Sequence, residues 1–237
     1  MSSGIEIKEL KQFNLEGGYL IDGFPSVGFA SAIATESMIH MSDFELAGVI
    51  DSDSFPPVSL IKDGKPNYPT RVFVNEELKI AVFSSYLTPN ETLHRDIAQS
   101  MIEWAKKHKI SLIISSVAVK SSKGIDEIVA AGSTESARNK LKESGLQVLE
   151  HGTIPGIPGM LLNEGSMKDQ DVVVVLFQST GQGPDFKSSA ELCMAMTKLV
   201  PGANCDITSL QNEAEKAEQT IKETEEETRN LKNSMYR

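Results

Sequence analysis

Short unbroken apolar runs alternate along this chain with longer stretches in which apolar residues return every third or fourth position, the periods of buried strands and one-sided helices respectively. Gly18-Tyr19-Leu20-Ile21-Asp22-Gly23 predicts a buried strand ending at a glycine. Pro25 and Ser26 then open an amphipathic helix carrying Val27, Ala30, Ile33, Ala34, Met38 and Met41. A second strand is predicted from Phe44 to Ile50, and Arg71–Val74 with Leu78–Phe83 predicts a hairpin across Asn75-Glu76-Glu77. Thr88-Pro89-Asn90-Glu91 starts a helix through Trp104, with Thr88 as its cap and Pro89 in the first turn. Leu112-Ile113-Ile114 reads as a strand and Thr134–Lys142 as a helix stopped near Gly145. Val172–Phe177 is apolar at every position, the mark of a strand covered on both faces. A helix from Phe186 to Leu199 follows and breaks at Pro201-Gly202.

Strands alternating with helices over residues 1–203 predict a three-layer α/β domain with a largely parallel sheet plus the hairpin. Gly and Pro gather instead in Phe55-Pro56-Pro57, in the segment Gly152–Gly159 and in Gly181-Gln182-Gly183-Pro184. Loops of this kind beyond strand ends are where an open α/β sheet holds a ligand.

After Pro201-Gly202 the pattern changes. Residues 204–237 form a second unit, a helical tail, which from Asp206 onward holds no Gly or Pro. Ile207, Leu210, Ala214, Ala217, Ile221, Thr224, Thr228, Leu231 and Met235 follow a 3,4 spacing without a break, a coiled-coil-like seam. Ala and Thr bury little area, so such a helix is marginal alone and needs either a partner copy or the main domain to steady it. Its last residues, Met235-Tyr236-Arg237, present an apolar group, a phenol and a carboxylate, which a narrow pocket with a cationic wall can read.

Composition narrows the partners. A formal charge of -10 over 237 residues is opposite to a nucleic-acid footprint and unsuited to an anionic membrane surface. The N-terminal residues lack an apolar core and the Val172–Phe177 run is too short to span a bilayer, so neither a leader nor a membrane helix is expected. Cys193 sits among Leu192, Met194 and Met196 and reads as a buried helix cysteine; with Cys205 as the chain's other cysteine, cytoplasmic residence is the expectation.

Catalytic chemistry finds little support. Gly23-Phe24-Pro25-Ser26-Val27-Gly28 lies at a strand-to-helix turn but ends in no Gly-Lys-Ser/Thr and has no glycine two residues before Ser26. A helix cap with close packing is the reading preferred there over an anion site. His40, His94, His108 and His151 stand apart, without metal-ligand spacing to another His or a Cys, and no cofactor or metal is expected. His94 reads as a surface residue, whereas His151 adjoins the Gly/Pro-rich segment. No carboxylate is marked as a tuned acid or base.

The stretch Leu20-Ile21-Asp22-Gly23-Phe24-Pro25-Ser26-Val27-Gly28 resembles the opening signature of the PAC2 family of proteasome assembly chaperones. The Ile157-Pro158-Gly159-Met160-Leu161-Leu162 loop and the Pro184-Asp185 start of the next helix are similar to that family too, so the resemblance spans roughly residues 15 to 200. It implies a phosphorylase/hydrolase-like three-layer domain, akin to nucleoside phosphorylases and peptidases, whose members act as chaperones and binders. The ending Met235-Tyr236-Arg237 matches the hydrophobic–Tyr–any-residue ending of an archaeal homo-oligomeric branch, which enters pockets between α-subunits of the 20S proteasome. The resemblance therefore implies an ATP-independent activator or assembly chaperone, homo-oligomeric and non-enzymatic. A phosphorylase-like small-molecule enzyme, with Gly28, Gly156–Gly159 and Gly181–Gly183 around a substrate pocket, is the alternative. A coiled-coil oligomer whose tail serves only self-assembly is the third.

Overall fold

The computed structural model describes residues 4–25, 29–119, 128–179 and 185–204, with 206, 210, 220, 222, 224 and 226 in the tail. The elements run β1 (Glu6–Glu9), β2 (Tyr19–Gly23), α1 (Ala30–Met41), β3 (Glu45–Asp51), β4 (Leu60–Lys62), β5 (Lys65–Asn67), β6 (Thr70–Asn75) and β7 (Ile80–Ser85). They continue α2 (His94–Lys107), β8 (Leu112–Val119), β9 (Val129–Gly132), α3 (Glu135–Glu143), β10 (Gln147–Val148), α4 (Gly156–Lys168), β11 (Val172–Gln178) and α5 (Phe186–Leu199).

Nine strands form one sheet in the order β1-β3-β6-β7-β2-β8-β11-β9-β10, and β4-β5 stands apart as a ribbon. The centre, β7-β2-β8-β11, is parallel. β6, β3 and β1 extend one side antiparallel, and β9 lies antiparallel on β11 at the other. The largely parallel sheet expected from the pattern is therefore its buried middle, flanked by antiparallel strands. The predicted hairpin across Asn75-Glu76-Glu77 is β6–β7, and the Asn75 side chain accepts the Leu78 N–H at 2.9 Å to close it.

Helices α2 and α4 cover one face of the sheet and α1, α3 and α5 the other. Period-2 alternation divides each central strand between these two cores: Leu20 and Phe83 join the first, Ile21 and Val82 the second. Val172, Val173, Val174 and Val175 of β11 are fully buried, so the unbroken apolar run reports cover on both faces. Each such side chain contributes about 1.5–3 kcal/mol of burial.

Three helix starts differ from the expectation. α1 begins at Ala30, not at Pro25-Ser26, because Phe29 before it takes left-handed backbone at φ 54°. Asn90, not Thr88, caps the segment after Pro89, its Oδ1 accepting the Thr92 N–H at 3.0 Å, and a 3-10 turn Glu91–Leu93 leads into α2. Proline holds the residue before it in extended backbone, which keeps Thr88 out of the helix. The Ile157–Leu162 segment, read as a loop, is the first half of α4. Its prolines and glycines belong to the helix entry: Gly156 takes φ 75°, and Pro158 lies in the first turn, where its missing N–H costs nothing. A Cβ on Gly159 would lie 2.0 Å from the Ile154 carbonyl oxygen, so glycine lets the segment before α4 pass close against the helix. Gly159→Ala is accordingly expected to destabilise the fold by about 1–3 kcal/mol through forced backbone shift. Urea unfolding of the two proteins measures this, and an unchanged midpoint would contradict the close-approach account.

Cys193 is buried in α5 as expected, but it is disulfide-bonded rather than a lone thiol. The chain's other cysteine, Cys205, lies outside the described residues. Among the described residues no helix is long and apolar enough to cross a membrane.

Candidate functional site

Two polar groups are built into the sheet near the carboxyl ends of its central strands, one on each face. On the α2/α4 face Asp22 is the penultimate residue of β2. Its Oδ2 accepts from the Ser115 hydroxyl of neighbouring β8 at 2.6 Å, and its Oδ1 accepts the Phe24 N–H at 3.0 Å. Burial pushes this carboxyl up to about 6, with the two hydrogen bonds pulling the other way. The sign follows directly. A carboxyl whose folded value exceeds its unfolded one holds its proton longer in the folded state, so its contribution to stability is full in acid and is lost as pH rises from about 4 through 6. Between pH 5 and 7 the loss amounts to about 1 kcal/mol. Asp22→Asn should remove that slope while keeping the Phe24 bond, and denaturant midpoints across this window check it.

On the opposite face Glu36 projects from α1 onto the sheet. Its Oε1 accepts from the Ser84 hydroxyl at 2.5 Å and lies 3.7 Å from Arg71 Nη2, while its Oε2 lies 3.8 Å from His40 Nε2. The Arg71 guanidinium sits 4.9 Å from the Phe73 ring centre and 5.0 Å from that of Tyr86. Burial, and next the Glu36 charge, push the Tyr86 phenol up to about 12, so it stays protonated. Arg71 Nε and Nη2 are buried with no hydrogen-bond acceptor, and so is the Ser116 hydroxyl. This group ties α1 to β6 and β7 by charge rather than by apolar contact.

Neither group joins a nucleophile to a base and a third orienting residue in the way covalent catalysis requires. Ser115 donates to Asp22, and both carboxylate oxygens of Asp22 are engaged. No cluster of three or more His, Cys, Asp or Glu that could hold a metal exists among the described residues. His151 is exposed, and it is His94 that turns inward, 3.3 Å from the Pro89 carbonyl and close to Gly156. His94 is half-buried on a helix expected to be partly exposed. Gly23 supports the close-packing reading of its turn: a Cβ there would meet Thr35 Oγ1 at 2.6 Å and the Phe83 carbonyl at 2.8 Å. Ser26, Val27 and Gly28 lie outside the described residues, as does the Gly181–Pro184 segment.

Met235, Tyr236 and Arg237, the predicted binding tip, lie outside the described residues, as do the seam positions Ile207, Ala214, Ala217, Ile221 and Leu231. Leu210 is described and is buried, packed with Ile33 of α1 beside Phe29, Phe186 and Ala190. Thr224, two heptads further on, is also buried within the single chain, while Lys222 and Glu226 are exposed. Of the two supports expected for the tail, the main domain is the one Leu210 meets.

Asp22, Glu36, Arg71 and Tyr86 were not singled out by sequence reasoning. A charge inside the apolar run Leu20-Ile21-Asp22 is the signal that marks Asp22. No local signal links Glu36 to Arg71, which meet only through the sheet.

Known proteins with this architecture are consistent with the geometry. The structure superposes on PbaA of Pyrococcus furiosus, described as an archaeal homolog of proteasome-assembly chaperone, with a TM-score of 0.80 and 26% identity over 96% of this chain and 99% of that one. PbaB of the same organism, described as an archaeal proteasome activator, gives a TM-score of 0.69 at 20% identity, over 93% of this chain and 98% of that one. An uncharacterized protein of Methanocaldococcus jannaschii is 22% identical over 227 residues, 96% of this chain and 93% of its own length. The PAC2 family model matches residues 20–225, from β2 into the tail. With that match running through both cores and both buried polar groups, the chain belongs to the PAC2 family.

Proposed function

We propose that this protein is an ATP-independent binder of the 20S proteasome α-ring, acting as activator, assembly chaperone or both. The observation that carries the reading is the ending Met235-Tyr236-Arg237 on a PAC2 chain whose fold is shared with PbaA and PbaB. In this reading the α/β body is homo-oligomeric, and the coiled-coil-like helices carry the tips to pockets between α-subunits. Met235 fills the apolar side of a pocket, the Tyr236 phenol hydrogen-bonds at its wall, and the Arg237 carboxylate pairs with a lysine of the ring. One tip buries little surface and binds weakly. Several on one body gain through effective concentration, about 10²–10⁴-fold in avidity. Opening of the gate requires that tips bind the open ring more tightly than the closed one, since equal affinity shifts no population.

No observation here favours the phosphorylase-like alternative: the buried hydroxyl–carboxylate pair Ser115–Asp22 is fully engaged in structural bonds. The binding reading is tested by titrating purified archaeal 20S particles with the full-length protein and with the protein lacking residues 235–237. Binding by the first and not the second is expected, and equal binding by both would contradict it.

A further inference from the structure

The β4-β5 ribbon leaves the main sheet, and its two edges are chemically unlike. Asp63 and Gly64 join the strands at φ 52° and 72°, the paired left-handed conformation of a two-residue type I′ turn. In such a hairpin the residues flanking the turn, here Lys62 and Lys65, form a hydrogen-bonded pair. The next pair, Ile61 and Pro66, is then the one whose main-chain groups point away from the ribbon. On β5 that outward position is a proline, which has no N–H to offer and closes the edge to another strand. On β4 it is Ile61, which offers both N–H and C=O and whose side chain is 69% exposed. A two-stranded ribbon is marginal in water on its own, and this one keeps a single open edge.

Charge identifies what fits that edge. The ribbon's tip carries Lys62 and Lys65 around Asp63, a net positive end. Its base opens on a groove of about 510 Å³ lined by Phe55, Pro56, Pro57 and Tyr68, with Asp51 and Asp53 on its wall. Asp51 already pairs with Lys8 at 3.4 Å, and Asp53 is exposed. Two copies of the ribbon laid antiparallel set each basic tip beside the other's acidic base.

We propose that β4 pairs with β4 of a second copy about a two-fold axis at Ile61, making a four-stranded ribbon β5-β4-β4-β5. Ile61 of each copy exchanges N–H and C=O with Ile61 of the other, and Leu60 stands opposite Lys62. Lys62 then reaches the mouth of the partner copy's groove, where Asp53 lies. Interfaces of this self-complementary kind close on themselves and leave no free edge. The proposal rests on the homo-oligomeric reading and assigns it a surface.

The test is sedimentation equilibrium of the full chain at micromolar concentration. Ile61→Pro removes the outward N–H and spares the ribbon's own bonds, as Pro66 does on the other strand. It is expected to weaken self-association at least tenfold with the circular dichroism spectrum retained. Lys62→Glu should weaken it as well, and adding Asp53→Lys to Lys62→Glu should restore it. A homo-oligomer unmoved by Ile61→Pro and by Lys62→Glu overturns the β4 interface and leaves the homo-oligomeric reading standing. A monomeric wild type overturns both, while binding of the monomer to the proteasome through residues 235–237 would still be scored separately.

Discussion

Tyr236→Ala is expected to abolish stimulation of 20S peptidase activity while leaving self-association and thermal stability unchanged. The phenol is the one group of the tip able both to fill an apolar pocket and to donate a hydrogen bond at its wall, so truncation removes both contacts. If, as proposed, each tip is weak and several act together on a homo-oligomer, a modest loss per tip is multiplied, and the avidity gain of about 10²–10⁴ disappears. One residue added after Arg237 should do the same by a different route, since it moves the carboxylate out of register with its cation and puts a peptide unit where the pocket accepted a terminus. Stimulation that survives both changes would contradict a mechanism acting through the tip. Leu210 already packs on the body, against Ile33, twenty-six residues before Tyr236, so the fold should not notice the change.

The second large effect concerns stability. Glu36→Ala should cost about 3–5 kcal/mol, because it leaves the Arg71 guanidinium buried without a counter-charge. Arg71 has a side chain only 9% exposed, with two of its nitrogens already lacking acceptors, so little in the described structure can compensate. For a chain of this size the midpoint of thermal unfolding should fall by about 6–20 °C. The double replacement Glu36→Leu with Arg71→Met should recover most of that loss, since removing both partners removes the desolvation cost along with the attraction. A single variant within about 1 kcal/mol of wild type, measured by guanidinium unfolding, would show that water reaches Arg71 and that the group is not a buried ion pair.

The centre of the fold is readable in the chain because burial there leaves a continuous mark. β11 is apolar at nearly every position, and β2, β8 and α5 fall where the apolar pattern places them. The edges are hidden for the opposite reason. β1, β4, β5, β9 and β10 are two to four residues long. Such short strands take their conformation from neighbours rather than from their own composition. α4 escapes notice because Gly156, Pro158 and Gly159 resemble a loop, although each serves the helix entry. Cys193 looks like a lone buried cysteine because spacing alone cannot reveal a disulfide.

The site divides the same way. The tail is set apart in the sequence by the change of composition after Gly202 and an unbroken 3,4 spacing, and its tip, Met235-Tyr236-Arg237, lies outside the described residues. The buried polar groups were not legible, since Glu36 and Arg71 are separated by an entire strand and the β4-β5 ribbon, and only the order β6-β7-β2 beneath α1 brings them together. Ile61 and Pro66 are ordinary in the sequence and acquire meaning only from their register across a two-residue turn.

Hydrolysis of a fluorogenic peptide by an archaeal 20S proteasome, with the full-length protein beside the same protein lacking Met235-Tyr236-Arg237, tests the central claim most directly. Stimulation by the full-length protein alone is the predicted result. Equal stimulation by both would contradict insertion of the tip, and stimulation by neither would contradict gate opening and leave assembly of the particle as the function to be measured.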